Sequence, residues 1–171
     1  MGRLKNFIIF TVMKNLYYLF ILSFLLISCE EDEKVTDPII DQVNKLNGNW
    51  KIEGSNSIIF NGQNVNSFSE MTLNFSNGSK DGGEFSTAHN ELTGTEVWPF
   101  EGTWSFLEIA DPNDTNSVIK DINTIVRSDM VGMDILVTDS SLRLTFRVAD
   151  CLYICNPNDY DGDWVFNFIK Q

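Results

Sequence analysis

The chain holds 171 residues, with 24 acidic side chains against 12 basic ones and a formal net charge of −12. That balance excludes nucleic acid as a partner and argues against docking on anionic headgroups, since both need clustered Lys and Arg. His89 is the single histidine, so a four-ligand zinc site is not expected, and no cofactor motif is present.

In chain order, the first 28 residues stand apart. They carry Arg3, Lys5 and Lys14 and no acid, and Leu16 to Ile27 is apolar except for Ser23 and two tyrosines. A positive start followed by a short apolar run is the build of a secretory signal peptide. The run is shorter than the ~20 apolar residues a spanning helix needs. Extending it back to Phe7 would bury Lys14 at a cost of ~2.5–3.5 kcal/mol. Met13-Lys14-Asn15 is a compact positive region directly before the run, which points to Met13 rather than Met1 as the start.

The signal ends in Leu26-Ile27-Ser28-Cys29, which resembles the lipobox of bacterial lipoproteins. The resemblance implies that the Cys29 thiol is diacylated, with palmitate-like chains, and that the peptide bond before it is cut. Two or three acyl chains hold a protein on a membrane, where one is marginal. Glu30-Glu31-Asp32-Glu33 follows. Such a run is repelled by anionic headgroups and stays solvated. It also resembles the acidic export tag of surface lipoproteins in some Gram-negative bacteria. The expected location is the outer membrane at the cell surface, with the periplasmic face as the alternative. Loss of the signal removes three cations and no anion, leaving 9 basic and 24 acidic residues and a net of −15.

Residues 29–45 read as a tether running into a helical turn, opened by Pro38 and carrying Ile39, Ile40, Val43 and Leu46 at helical spacing. From residue 46 to 171 the pattern is all-β. Met71, Leu73 and Phe75 alternate with polar residues, as do Gly102, Trp104 and Phe106, then Leu142, Leu144, Phe146 and Val148, then Trp164, Phe166 and Phe168. Period two with one apolar face marks half-buried antiparallel strands. Strands are predicted near 49–54, 57–61, 70–76, 83–88, 101–108, 121–127, 132–138, 141–149 and 163–170. Turn chemistry separates them at Asn61-Gly62, Asn77-Gly78, Asp81-Gly82-Gly83, Asp111-Pro112-Asn113-Asp114 and Asp161-Gly162. Many short strands predict an antiparallel barrel of about eight, because closure removes the edges.

Leu46-Asn47-Gly48-Asn49-Trp50 opens the first strand, and Gly102-Thr103-Trp104, Leu142-Arg143-Leu144 and Gly162-Asp163-Trp164 follow. The Gly-x-Trp after a helical turn resembles the opening motif of lipocalins, and the order resembles the lipocalin-like lipoproteins of Gram-negative bacteria. The resemblance implies an up-and-down barrel in which Trp50 plugs the closed end, Gly48 lets the chain bend, and Arg147 or Arg143 lies against the Trp50 ring. It also implies a small apolar or amphipathic ligand in the barrel mouth.

Candidate sites are few. Trp98, Phe100 and Trp104 line a pocket, stack on a sugar ring, or fill the core, where aromatics dominate burial. Trp104 sits in an alternating strand and suits the core; Trp98 before Pro99 suits a strand end or loop, where a binding role is more open. Cys151 and Cys155 are spaced for a small disulfide loop, with two free thiols as the alternative. The oxygen-rich runs 111–116 and 156–163 suit ordinary Asx turns better than calcium, because Pro157 stands where an EF-hand needs its first carboxylate. His89 lies in a polar stretch and is expected to be a solvated loop histidine, since no nucleophile or orienting partner is marked beside it. The expectation is a monomeric, non-catalytic lipoprotein that binds a small lipophilic ligand. The alternative is a filled barrel that binds a partner or glycan through its loops.

Overall fold

The structure is a computed structural model that describes residues 36–91, 95, 97–148 and 160–171. Cys29, Cys151, Cys155 and residues 156–159 of the 156–163 run lie outside the described residues. Asp37 caps the first helix: its Oδ1 accepts the Ile39 N–H at 2.9 Å. Pro38 follows, where a missing N–H costs nothing, and helix α1 (Pro38–Leu46) begins. Its Val43 and Leu46 are buried, and α1 belongs to the compact unit Thr36–Gln171.

Ten strands follow among the described residues: β1 (Gly48–Ile52), β2 (Ile58–Phe60), β3 (Gln63–Asn64), β4 (Thr72–Ser79), β5 (Gly82–Ala88), β6 (Glu101–Asp111), β7 (Asp114–Arg127), β8 (Gly132–Val137), β9 (Ser141–Val148) and β10 (Gly162–Lys170). Neighbours run antiparallel in the order β1-β4-β5-β6-β7-β8-β9-β10, and β10 pairs back onto β1. The result is the closed eight-stranded antiparallel barrel that the alternation predicted. β2 and β3 are additional. β2 prolongs the path of β1, since β1 pairs with Phe168–Lys170 of β10 and β2 with Trp164–Phe166.

The barrel has two ends. The helix end carries α1 and the β4–β5, β6–β7 and β8–β9 turns. The loop end carries the β2–β3 turn, the β5–β6 connection and the β7–β8 turn. Between them the inward side chains form one core, including Trp50, Leu73, Phe75, Phe85, Trp104, Phe106, Ile125, Leu144, Phe146, Trp164, Phe166 and Phe168. Each large side chain contributes about 1.5–3 kcal/mol on leaving water.

The β6–β7 pair departs from the sequence reading. Asp111-Pro112-Asn113-Asp114 does turn the chain, with Asp111 Oδ1 accepting the Asn113 N–H at 2.8 Å. It is a hairpin tip, not a loop ending at residue 121: Asp111 pairs with Asp114, and the ladder runs back through Ala110–Val118 and Ile109–Ile119. Ile122–Thr124 form a bulge between the Phe106–Ile125 and Leu107–Asp121 pairs. Gln42 of α1 donates to the Ile122 carbonyl at 2.9 Å. Below the bulge the strands are barrel wall; above it they form a projecting arm.

Candidate functional site

The helix end is closed by Trp50. Its ring is fully buried, and its Nε1–H donates to the Leu46 carbonyl at 2.8 Å. The cation over the ring is Lys170, with Nζ 5.0 Å from the centroid; that ammonium also donates to the Lys45 carbonyl at 3.1 Å. The expectation of Arg147 or Arg143 in this place is corrected. Both arginines are exposed, because they alternate with the inward Leu142, Leu144 and Phe146. Arg147 instead meets Asp163 at 3.3 Å on the outer face. Lys170 has the right parity, two residues beyond inward-facing Phe168. Gly48 adopts φ 134°, and a Cβ there would come within 2.9 Å of Lys170 Cε. A side chain at 48 would thus push the cation off the ring.

The loop end is closed by the second candidate, Trp98. It lies in the β5–β6 connection, as its place before Pro99 suggested, but it is fully buried and offers no open face. Its ring meets Phe146 edge-on at 5.5 Å and Phe166 at 5.8 Å. Above it lies Arg127, 1% exposed, with its guanidinium carbon 5.0 Å from the Trp98 centroid. Arg127 donates to the Val97 carbonyl at 2.7 Å. It also grips both oxygens of Asp129, at 3.0 and 2.5 Å. Sequence reasoning missed Arg127. The available signal was parity again: it follows buried Ile125 by two.

Trp104 is in the core, edge-on to Phe75 and Phe106, so the three aromatics do not converge on one pocket. Phe100 is half exposed and stacks on His89 at 4.9 Å. His89 is not the solvated loop residue expected from its polar neighbours. Its ring is half buried, edge-on to Phe68 at 5.1 Å, and its Nε2 lies 2.9 Å from the Trp98 carbonyl. This geometry makes His89 a brace for the Trp98 loop. The carboxylate of Glu91 accepts the Phe68 N–H at 3.3 Å, holding the next wall of the same plug. Phe68 in turn meets Trp164 and Phe166, and Phe166 stacks on Phe146 at 5.7 Å. The interior is filled with interlocked rings from the mouth downwards, each pair adding about 0.5–1.5 kcal/mol.

Among the described residues, open space lies on the outer face. All four tryptophans of the chain are buried, so none presents a stacking face. A groove of ≈ 670 Å³ runs over the outer face of β5, β6 and β7, lined by polar Ser79, Asp81 and Ser128 and by apolar Leu107, Val126 and Met130. Among the described residues no group of three or more His, Cys, Asp or Glu side chains converges to hold a metal. Exposed apolar side chains gather on the arm: Ile109, Val118 and Ile119. The arm is tied to the β4–β5 turn by Lys120, whose ammonium meets Asp81 at 2.9 Å and the Lys80 carbonyl at 2.6 Å. The hydrogen bond from Lys120 holds the Asp81 carboxyl below its ordinary value. In the same way Lys80 lowers Asp37, the cap of α1.

Comparison with family models, curated proteins and solved structures finds no match to this chain.

Proposed function

We propose that this protein is an extracytoplasmic lipoprotein, anchored through Cys29 to the outer membrane, whose barrel is a scaffold for binding a partner on its outer surface. The observation that carries the binding half is the filled interior. Trp98, Phe146, Phe166, Trp164 and Phe68 occupy the space beneath the mouth, where a carrier holds its ligand. This favours the surface-binding alternative over carriage of a small apolar ligand. Burial of every tryptophan removes the usual platform for a sugar ring and favours a protein partner over a glycan. The address half rests on the positive start, the apolar run, the lipobox resemblance and the acidic run after Cys29.

Both halves are testable together. Cys29→Ala is expected to move the protein from the membrane fraction to the soluble extracytoplasmic fraction, and wild-type mass to include acyl chains. A variant that stays membrane-bound, with no acyl mass on wild type, overturns the anchor. Titration of the mature protein with a fluorescent fatty acid is expected to give no saturable binding. Saturation at one equivalent, quenching tryptophan emission, would restore the carrier.

A further inference from the structure

We infer that the β6–β7 arm is the docking site, and that its occupant is an extended cationic segment of another protein, added as a strand along the free edge of β7. The inference rests on the surface-binding reading above and names the site and partner class. β7 pairs with β8 only from Thr124 to Val126, so among the described residues Asp114 and Val118–Asp121 pair with β6 alone. A two-stranded ribbon of this kind is marginal in water and gains from a third strand. Its unpaired N–H and C=O groups are a ready template.

The side chains define what fits. Ile109 and Ile119 face each other across the ribbon, and Val118 lies opposite Ala110; Ile109, Val118 and Ile119 are 42%, 61% and 41% exposed. Around them stand Glu108, Asp111, Asp114 and Asp121, against one cation, Lys120, which is already engaged by Asp81. Ile109 and Ile119 share one face of the ribbon, and Val118 lies on the other with Glu108 and Lys120. Such a ribbon, with its excess of acids, complements a segment in which β-branched residues on one face alternate with Lys or Arg on the other. The same acids repel a second copy of this chain and an anionic lipid surface. The arm is also held ready to receive a strand. Gln42 fixes the bulge at its root and Lys120 fixes its flank, so little ordering remains to be done on binding.

The test uses the full mature chain and a ten-residue peptide of alternating Lys and Val. The peptide is expected to bind and to slow amide exchange at Ser117–Asp121. Methylation of its alternate backbone nitrogens, at equal charge, should weaken binding about tenfold or more, since the ladder hydrogen bonds are lost. Glu108→Gln with Asp114→Asn, both exposed, should weaken binding about tenfold with an unchanged melting temperature. Equal affinity of the methylated peptide, or protection at residues 60–70 and 97–100 instead of the arm, overturns the inference while surface binding stands. Sedimentation of the free chain as a dimer protected at the arm assigns the edge to a second copy and also overturns it. So does arm-dependent pelleting of the unlipidated Cys29→Ala chain with phosphatidylcholine vesicles. A stoichiometric apolar molecule inside the barrel instead sinks the surface-binding reading itself.

Discussion

The two ends of this barrel solve one problem in different ways. Each is closed by a fully buried tryptophan under a cation: Trp50 with Lys170 at the helix end, Trp98 with Arg127 at the loop end. At the helix end the plug is locally complete. Trp50 Nε1 has its acceptor on α1, and Lys170 is half buried, bonding a helix carbonyl while one side meets water. At the loop end the Trp98 Nε1 has no partner among the described residues, and the guanidinium is buried among Trp98, Phe146, Val97 and Asp129. The helix end rests on regular secondary structure, whereas the loop end rests on side chains, Arg127 with His89 and Glu91. The arrangement suits a scaffold whose mouth is sealed, not one whose mouth admits ligand.

Single substitutions sharpen the contrast. Trp50→Ala should cost about 4 kcal/mol, because it removes the plug and the donor to the Leu46 carbonyl of α1 together, read as a lower urea midpoint at unchanged slope. Trp98→Ala should cost less, about 3 kcal/mol, and leave a cavity beside the stacked Phe146 and Phe166 and beneath Arg127. That variant should gain saturable binding of benzene-sized apolar molecules, which wild type lacks; if it gains none while remaining folded, the loop end does not seal a fillable interior. Arg127→Met should cost about 2 kcal/mol, since the Val97 carbonyl loses its donor, while half-exposed Asp129 returns to water. Lys170→Met should cost about 1 kcal/mol or less, for its cation is already partly hydrated. Equal losses for Arg127→Met and Lys170→Met would erase the proposed difference between the ends.

The smallest effect concerns pH. Asp37 and Asp81 are both held below the ordinary carboxylate value of 3.8, first by hydrogen bonds from Lys80 and Lys120. Groups lowered in the folded state contribute stability above pH 3.8 and lose it as pH falls through their folded values. Amide exchange in the first turn of α1 and at the root of the arm should therefore rise only below about pH 4, and Asp37→Asn should flatten that rise at α1. Both pairs are exposed, so the effect should also shrink with added salt.

The wall strands were legible because each buries one face. Leu142, Leu144, Phe146 and Trp164, Phe166, Phe168 leave little freedom of register. The Pro38 start and the Ile39, Ile40, Val43 and Leu46 spacing likewise announced α1. The arm was hidden for the opposite reason: neither of its faces is buried, so Asp114-Thr115-Asn116-Ser117 shows turn chemistry and no period. The place of Trp98 in a connection was legible from Pro99, but its burial was hidden because a plug in a connection has no repeat to follow. The closing cations were hidden because a charge reads as the end of a buried face. Parity, followed one step further, reaches both Lys170 and Arg127, and it argues against Arg143 and Arg147.

The most direct test of the sealed-scaffold account is native mass spectrometry of the domain, taken from its own membrane in mild detergent and cut from its tether. The account predicts the bare mass of the polypeptide, unchanged after incubation with lipid extract. A discrete apolar adduct at one equivalent, lost in Phe166→Trp, would contradict it and make the barrel a carrier.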